Sequence, residues 1–228
     1  MDIIDLSIKL NLSIPPNDLV VLAEKAYDTV YYAQDTYLKF EEPEIHIWVE
    51  QGSVSYRTKV LIGLMAFYHV VSGIDGFVGG LEKIYNYSCK TIDYVSEALI
   101  DEKPNRVIEI KKSTGFTQKI RKVLQDVHNG KCSPDDATYK VIKLLEVEDD
   151  NPATKRRFID SFNNAAKENY RSSSTQLKMF PDEEMILRDK VHKKRTLPKA
   201  PPVEASLQGV EIWYDIKTKR KVVRSYTK

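Results

Sequence analysis

The chain has 228 residues, with 42% hydrophobic and 30% charged side chains and a formal net charge of +2. These proportions are ordinary for a soluble globular protein and leave room for one large domain or two small ones. Two cysteines, Cys89 and Cys132, form no CxxC pair and no cluster with histidine, which excludes a disulfide framework and a zinc finger. We therefore expect a cytoplasmic protein without a metal or cofactor, and the acidic first residues predict no export signal.

Charge is distributed unevenly along the chain. Residues 1–100 carry a net charge of −7, residues 101–150 carry none, and residues 151–228 carry +9. A basic end on an acidic body is typical of a chain whose tail binds nucleic acid or an acidic partner. A charged, solvated tail without a partner is the alternative that this pattern leaves open.

The first part of the chain predicts a small α/β layer. In residues 4–12 apolar and polar side chains alternate, which is the pattern of a strand with one buried face. After two prolines the period becomes that of an amphipathic helix, because Leu19, Leu22 and Val30 fall on one side. A strand, a helix and then a hairpin of two strands are therefore expected in that order.

The predicted hairpin covers residues 45–58 and uses Gln51-Gly52 as a two-residue turn. That turn places three matched pairs on one face, which supports the register. The matched pairs are Val49 with Val54, Ile47 with Tyr56, and Ile45 with Thr58.

Residues 60–71, VLIGLMAFYHVV, are apolar on all sides and predict a buried core helix. A membrane span is the alternative, but it requires about 20 apolar residues. Extending the run to that length brings in Asp75 and several glycines, so we expect no membrane segment.

Four of the nine glycines stand close together in SGIDGFVGG, residues 72–80. Phosphate-binding loops present converging backbone N–H groups through spacings such as GxGxxG after a strand, or GxxxxGK[ST]. The spacing here is GxxGxxGG after a predicted helix, and it matches neither. We interpret Gly73, Gly76, Gly79 and Gly80 as permitting a turn and the close approach of two helices.

The rest of the chain predicts helices, a linker and a second hairpin. Residues 1–170 form the globular body, in which a helix is expected over 81–100 and an extended piece over 106–112, followed by further helices. Residues 171–207 have few core-forming side chains, a serine run and four prolines, which predicts a flexible basic linker. Residues 208–228 predict a β-hairpin that pairs with the sheet of the body or docks on a partner, since an isolated hairpin is marginal.

Two helices predicted within residues 114–147 resemble a helix-turn-helix, with Lys119, Arg121 and Lys122 on the first helix. Ser133 is predicted to cap the second helix, which then begins with acidic residues. Acidic side chains at the start of a recognition helix repel phosphate, so an ordinary helical hairpin is favoured.

One pattern resembles part of a catalytic motif. Glu109-Ile110-Lys111 resembles the ExK half of the restriction-endonuclease-like nuclease motif, in which a carboxylate and a lysine hold a divalent metal and a scissile phosphate. That family also needs an acidic residue on a neighbouring strand, whereas the candidates, Asp93 and Asp101, lie in or just after a predicted helix. Solvated charges on an edge strand are favoured, and a metal-dependent nuclease is the alternative function.

Residues 176–180, QLKMF, resemble the pentapeptide by which bacterial polymerases and repair factors bind the sliding clamp. The resemblance covers these five residues and implies nothing about the fold. It implies that Leu177, Met179 and Phe180 enter an apolar cleft of the clamp, while the amide of Gln176 bonds polar groups at its rim. An apolar patch that holds the linker against the body is the alternative.

Two basic runs are the densest outside the final hairpin, and we predict that they contact nucleic acid. Because their side chains would bind phosphates, this binding is expected to be independent of base sequence. These runs consist of Lys155, Arg156, Arg157, Lys193, Lys194 and Arg195. Together the features predict a non-enzymatic accessory protein of bacterial, phage or plasmid DNA metabolism, with phage defence as one setting. Its partner is expected to be a protein such as the sliding clamp. An interaction subunit of another pathway is a further alternative.

Overall fold

The computed structural model describes residues 1–12, 14–51, 54–73, 76–100, 104–147, 151–172, 208–215 and 220–227. Within these ranges the chain forms one six-stranded antiparallel sheet and six α-helices, which confirms the predicted mixed α/β class. The strands are β1 (Asp2–Leu10), β2 (Glu44–Glu50), β3 (Ser55–Leu61), β4 (Val107–Ser113), β5 (Gln208–Asp215) and β6 (Arg220–Thr227). The helices are α1 (Pro16–Ala33), α2 (Leu64–Val71), α3 (Gly76–Ile100), α4 (Gly115–His128), α5 (Pro134–Glu146) and α6 (Pro152–Ser172).

The strand order across the sheet is β4-β1-β3-β2-β5-β6. Helices pack on one face, where α1 contacts β2 and β5 while α3 and α4 contact β1. The alternation predicted for β1 is confirmed, because Leu6 and Ile8 are buried whereas Asp5 and Ser7 are part-exposed and Lys9 is exposed. The sheet thus has one face that belongs to the core and one that does not.

The hairpin of β2 and β3 has the predicted buried face but another register. Val49 pairs with Tyr56 rather than with Val54, so the predicted register is wrong by two residues. Val54 instead accepts a backbone hydrogen bond from Leu10 at 2.8 Å and donates one to Leu12 at 3.4 Å, which leaves a four-residue connection. A slip of two residues keeps every side chain on its face, and alternation alone therefore does not detect it.

The apolar run of residues 60–71 divides between two elements, so the predicted helix is wrong at its start. Val60 and Leu61 complete β3, and α2 begins at Leu64. The helix is buried on one side only, because Met65 and Val70 are 47% and 43% exposed. No single helix of the described ranges is long and apolar enough to cross a membrane; α2 and α3 together, bent by 113°, pass that test on length and composition alone.

The glycines that follow α2 permit a turn and a close helix crossing, as predicted. Gly80 lies where α3 passes α2, and a Cβ there would be only 2.7 Å from Cα and from the carbonyl carbon of Val71. Only glycine allows this approach. Gly76, at the start of α3, has a φ of 71° in the left-handed region, which glycine adopts without steric cost.

The helical layer contains an aromatic centre, a side-chain cap at the start of α5 and a buried ion pair between two helices. As predicted, Ser133 caps α5 by accepting the backbone N–H of Asp136 at 3.1 Å. Arg121 of α4 is buried and bonds Glu82 of α3 at 2.8 Å, so this arginine holds two helices together instead of facing a phosphate. The aromatic centre consists of Phe67, Phe77, Phe116, Phe158 and Phe162.

The C-terminal hairpin of β5 and β6 pairs with the sheet of the body. β5 runs antiparallel to β2, with Val210 opposite Val49 and Ile212 opposite Ile47. Val210 and Ile212 are buried under α1. Of the two arrangements that the sequence left open, sheet pairing is the one observed.

Candidate functional site: the open face of the sheet

The structure places only some of the residues predicted to bind partners. The clamp-type motif, residues 176–180, and one basic run, residues 193–195, lie outside the described residues. The other basic run lies at the start of α6, where Arg156 and Arg157 are exposed and Lys155 is half-buried. Arg156 and Arg157 are the fifth and sixth residues of α6, beyond the first turn in which the helix dipole acts, so any attraction for anions depends on their own charges. Their binding to nucleic acid stays a prediction.

The ExK pattern lies on β4, an edge strand of the sheet. Glu109 and Lys111 form an ion pair of 3.1 Å, and their side chains are 47% and 72% exposed. Asp93 bonds Lys112 at 2.9 Å, and Lys112 points to the face opposite Glu109 because the two are three residues apart on a strand. The carboxylates of Asp93 and Glu109 therefore lie on opposite faces of the sheet and do not form one site. Asp101 lies outside the described residues.

Within the described residues, no helix covers the second face of the sheet, which we call the open face. It carries the strand residues that alternate with the buried ones, as the pairing register specifies. Six of these side chains are cationic: Lys9, Arg57, Lys59, Lys111, Arg220 and Arg224. Six are carboxylates: Asp5, Glu44, Glu50, Glu109, Glu211 and Asp215.

Both tryptophans of the chain lie near the middle of the open face rather than in the core. Trp48 stacks on His46, with ring centroids 5.5 Å apart and an interplanar angle of 15°. The guanidinium carbon of Arg57 lies 5.9 Å from the centroid of the Trp48 ring, within the range of a cation–π contact. Trp213 pairs with His46 across β2 and β5. We call His46, Trp48, Arg57 and Trp213 the tryptophan patch.

The polar side chains in and around the tryptophan patch pair with one another. Asp5 lies 3.7 Å from Arg57 and 3.9 Å from Lys59. His46 lies 2.9 Å from Glu44 on the same strand and 3.9 Å from Glu211 on β5. With six cations against six carboxylates, the open face is close to neutral, and its most distinctive groups are aromatic.

Tyr226 of β6 lies at the edge of the open face, opposite Gly209. Its hydroxyl donates a hydrogen bond of 3.0 Å to the carboxylate of Glu50, and its ring covers Gly209, where a Cβ would lie 2.7 Å from Cε2. Burial and the hydrogen bond to Glu50 raise the pKa of Tyr226 to about 12. The hydroxyl therefore stays protonated at physiological pH and fixes the C-terminal hairpin to β2.

Sequence reasoning did not identify the tryptophan patch. The only local signal is the alternation in EIHIWVE, which places His46 and Trp48 on the side opposite the buried residues Ile45, Ile47 and Val49. Trp213 is remote in sequence, and only the pairing of β5 with β2 brings it beside His46. The patch is a product of tertiary structure.

The described residues contain no group of three or more histidine, cysteine, aspartate or glutamate side chains placed to hold a metal ion. Comparison of the chain with protein-family models, with curated proteins and with solved structures finds no match. Function is therefore inferred from the geometry and chemistry of this chain alone.

Proposed function

We propose that the protein is a non-enzymatic interaction protein that binds a protein partner on the open face of its sheet. The observation that carries the proposal is the position of both tryptophans on the solvent side of the sheet, on adjacent strands. The few residues that dominate the binding energy of a protein interface are enriched in tryptophan, tyrosine and arginine. Trp48, Trp213, Arg57 and Tyr226 bring all three residue types to this one face.

Charge favours a protein over a nucleic acid as the occupant. A nucleic acid strand is bound by an excess of cations that neutralise its phosphates. On the open face the cations are matched in number by carboxylates, and Arg57 and Lys59 already face Asp5. A protein surface with mixed charges around an apolar centre is the better complement to such a face.

The dimensions of the open face also suit a protein. Six strands at a spacing of about 4.8 Å span roughly 24 Å, and strands of this length extend for a similar distance. The resulting area is roughly 600 Å², comparable to the about 800 Å² that each partner contributes to a standard interface. One partner surface of ordinary size covers the whole face.

The setting in bacterial, phage or plasmid DNA metabolism is supported by residues 176–180. In this proposal the clamp-type motif binds the sliding clamp through Leu177 and Phe180, and the open face binds a different protein surface. Arg156 and Arg157 add non-specific contacts with nucleic acid. The protein then connects partners that work on the same DNA.

The test uses the full chain as bait in extracts of the native host, with retained proteins quantified by mass spectrometry. The variant Trp48→Thr/Trp213→Thr removes the aromatic anchors while keeping residues that suit strands. The matched control is Tyr32→Ala/Tyr139→Ala, which removes two exposed aromatic side chains from helices α1 and α5, away from the open face. We expect one retained protein to be lost with the tryptophan variant and kept with the control.

The purified partner is then titrated against the wild type while tryptophan emission is recorded. Both tryptophans lie on the open face, so partner binding should shift their emission to shorter wavelength. Retention that is equal for the wild type and the tryptophan variant, at equal melting temperature, would refute the proposal. Strong quenching by an oligothymidylate at physiological salt would assign the face to single-stranded nucleic acid instead.

A further inference from the structure

A second candidate binding region lies on the helical side of the sheet, at the end of α1. A cleft of about 850 Å³ opens between α1, the following π-helical turn Gln34–Leu38 and strand β6. Its volume is within the range of small-molecule sites. Three aromatic side chains, Tyr27, Tyr31 and Phe40, contribute to its wall, and we call it the tyrosine cleft.

The aromatic wall of the tyrosine cleft is ordered by local structure. Tyr27 and Tyr31 are one helical turn apart and stack with centroids 6.4 Å apart and an interplanar angle of 13°. Tyr27 is buried, whereas Tyr31 is 52% exposed and accessible to a ligand. The buried amide of Gln34 donates a hydrogen bond of 3.0 Å to the carbonyl of Phe40, which holds the loop beyond the π-helical turn in place.

The tyrosine cleft already accommodates an alkylammonium group of the protein itself. The Nζ of Lys221 on β6 lies 2.8 Å from a carboxylate oxygen of Asp28 and 4.7 Å from the centroid of the Tyr27 ring. This is the arrangement in which aromatic sites bind cations, with a ring face and a carboxylate on the same ammonium. The contact of Lys221, as well as the residues that line the tyrosine cleft, therefore indicates that the cleft can bind an ammonium group.

The wall carries more negative than positive charge. Lys39 and Lys221 are its two cations, and its four carboxylates are Asp28, Asp35, Glu41 and Glu42. The side chains of Asp35, Glu41 and Glu42 are exposed. A ligand with more than one ammonium group can contact the aromatic wall and these carboxylates together.

We propose that the tyrosine cleft binds an alkylammonium ligand, either a polyamine or the lysine side chains of a basic peptide. Lys221 acts as an intramolecular competitor for the same ring and carboxylate. The proposal is independent of the open face, which lies on the other side of the sheet. Its distinctive consequence is that removal of a lysine strengthens the binding of a cation.

The experiment is isothermal titration calorimetry of the full chain with spermidine and, separately, with a lysine-rich peptide. Lys221→Ala should tighten binding about threefold, because it frees a cation–π contact and a carboxylate. The control is Arg220→Ala, which removes a neighbouring charge that points to the open face. Tyr31→Leu and Asp35→Asn should each weaken binding about threefold at an unchanged melting temperature.

Binding of both ligands supports a general alkylammonium site, and binding of one alone identifies its source as a free polyamine or a basic peptide. Absence of binding by both would overturn the proposal. Equal tightening by Lys221→Ala and Arg220→Ala would also overturn it, since net charge alone would then explain the effect. So would full affinity in Tyr31→Leu.

Discussion

The crossing of α2 and α3 at Gly80 offers a stringent test of the packing described above. Replacing Gly80 with alanine adds one methyl group, which would lie 2.7 Å from Cα and the carbonyl carbon of Val71 and closer still to its oxygen. Ordinary van der Waals contact begins at 3.4 Å. The two helices must therefore move apart by at least about 0.7 Å, because none of the obstructing atoms belongs to a flexible side chain.

The free energy of unfolding reflects two opposing terms. Alanine is favoured over glycine inside a helix by about 1 kcal/mol. Overpacking of a closely fitted contact costs about 1–3 kcal/mol, and here the separation also loosens Phe67 against its aromatic neighbours. We expect a net loss of up to about 2 kcal/mol, which lowers the melting temperature by up to about 4–8 °C for a chain of this size.

The assay is denaturant and thermal unfolding of the full chain, followed by circular dichroism. Gly63→Ala is the matched control, because no atom lies within 4 Å of its Cβ position and its φ is −69°. Gly63 is the N-cap residue of α2, where alanine is less favourable than glycine, so a loss of up to about 1 kcal/mol is expected, and this loss should not grow from alanine to valine. Gly76→Ala should lose about 1 kcal/mol through its left-handed backbone, and Gly76→Asn should lose less.

The dependence of stability on the size of the side chain at residue 80 separates steric overlap with Val71 from the change in helix propensity. The loss at Gly80 should grow from alanine to valine, because each added atom meets the backbone of Val71. A Gly80→Val variant that is as stable as the wild type would refute the close crossing. Stabilisation of Gly80→Ala by about 1 kcal/mol, the value for an unobstructed helix position, would show that α2 and α3 do not touch there.

Further predictions concern the helical layer, the hairpin and the tail. Arg121→Met should lower the free energy of unfolding by about 2 kcal/mol, because it leaves the Glu82 carboxylate without its buried partner; adding Glu82→Leu should recover part of the loss in a double-mutant cycle. The raised pKa of Tyr226 stabilises the fold below the ordinary value of 10.0, and this contribution is lost as pH rises towards about 12. Chemical denaturation across that window should therefore show a smaller decline for Tyr226→Phe than for the wild type, and equal declines would contradict the assignment. A synthetic peptide of residues 171–183 should bind a bacterial sliding clamp with micromolar-class affinity, measured by fluorescence anisotropy, and Leu177→Ala/Phe180→Ala should abolish binding; absence of wild-type binding would reject the clamp hypothesis. Binding of nucleic acid through Arg156 and Arg157 should weaken steeply with salt in a filter-binding assay, and affinity that persists at half-molar salt would contradict a phosphate contact.

The local sequence pattern was sufficient to predict most helices and strands and the face that each one buries. The alternation in β1 determined which side chains are buried, and Ser133 marked the start of α5 through a capping bond that involves only neighbouring residues. Within the four-glycine segment, the interpretation is confirmed for Gly76, which permits a turn, and for Gly80, which permits the close approach of two helices. These properties depend on interactions within a few residues, which a sequence displays directly.

Tertiary structure decided the register, the boundary of α2 and the composition of the open face. Val54 leaves the hairpin because Leu10 at the end of β1 and Leu12 just beyond it bond its backbone, and an isolated hairpin pattern contains no information about that third segment. Trp213 reaches His46 because β5 pairs with β2 across a long intervening segment. Alternation specifies the face of a strand but neither its neighbour nor a slip by two residues. Which strands become neighbours depends on the apolar surface that they bury together. Val210 and Ile212 of β5 fit beside Val49 and Ile47 of β2 only once the sheet and α1 are assembled.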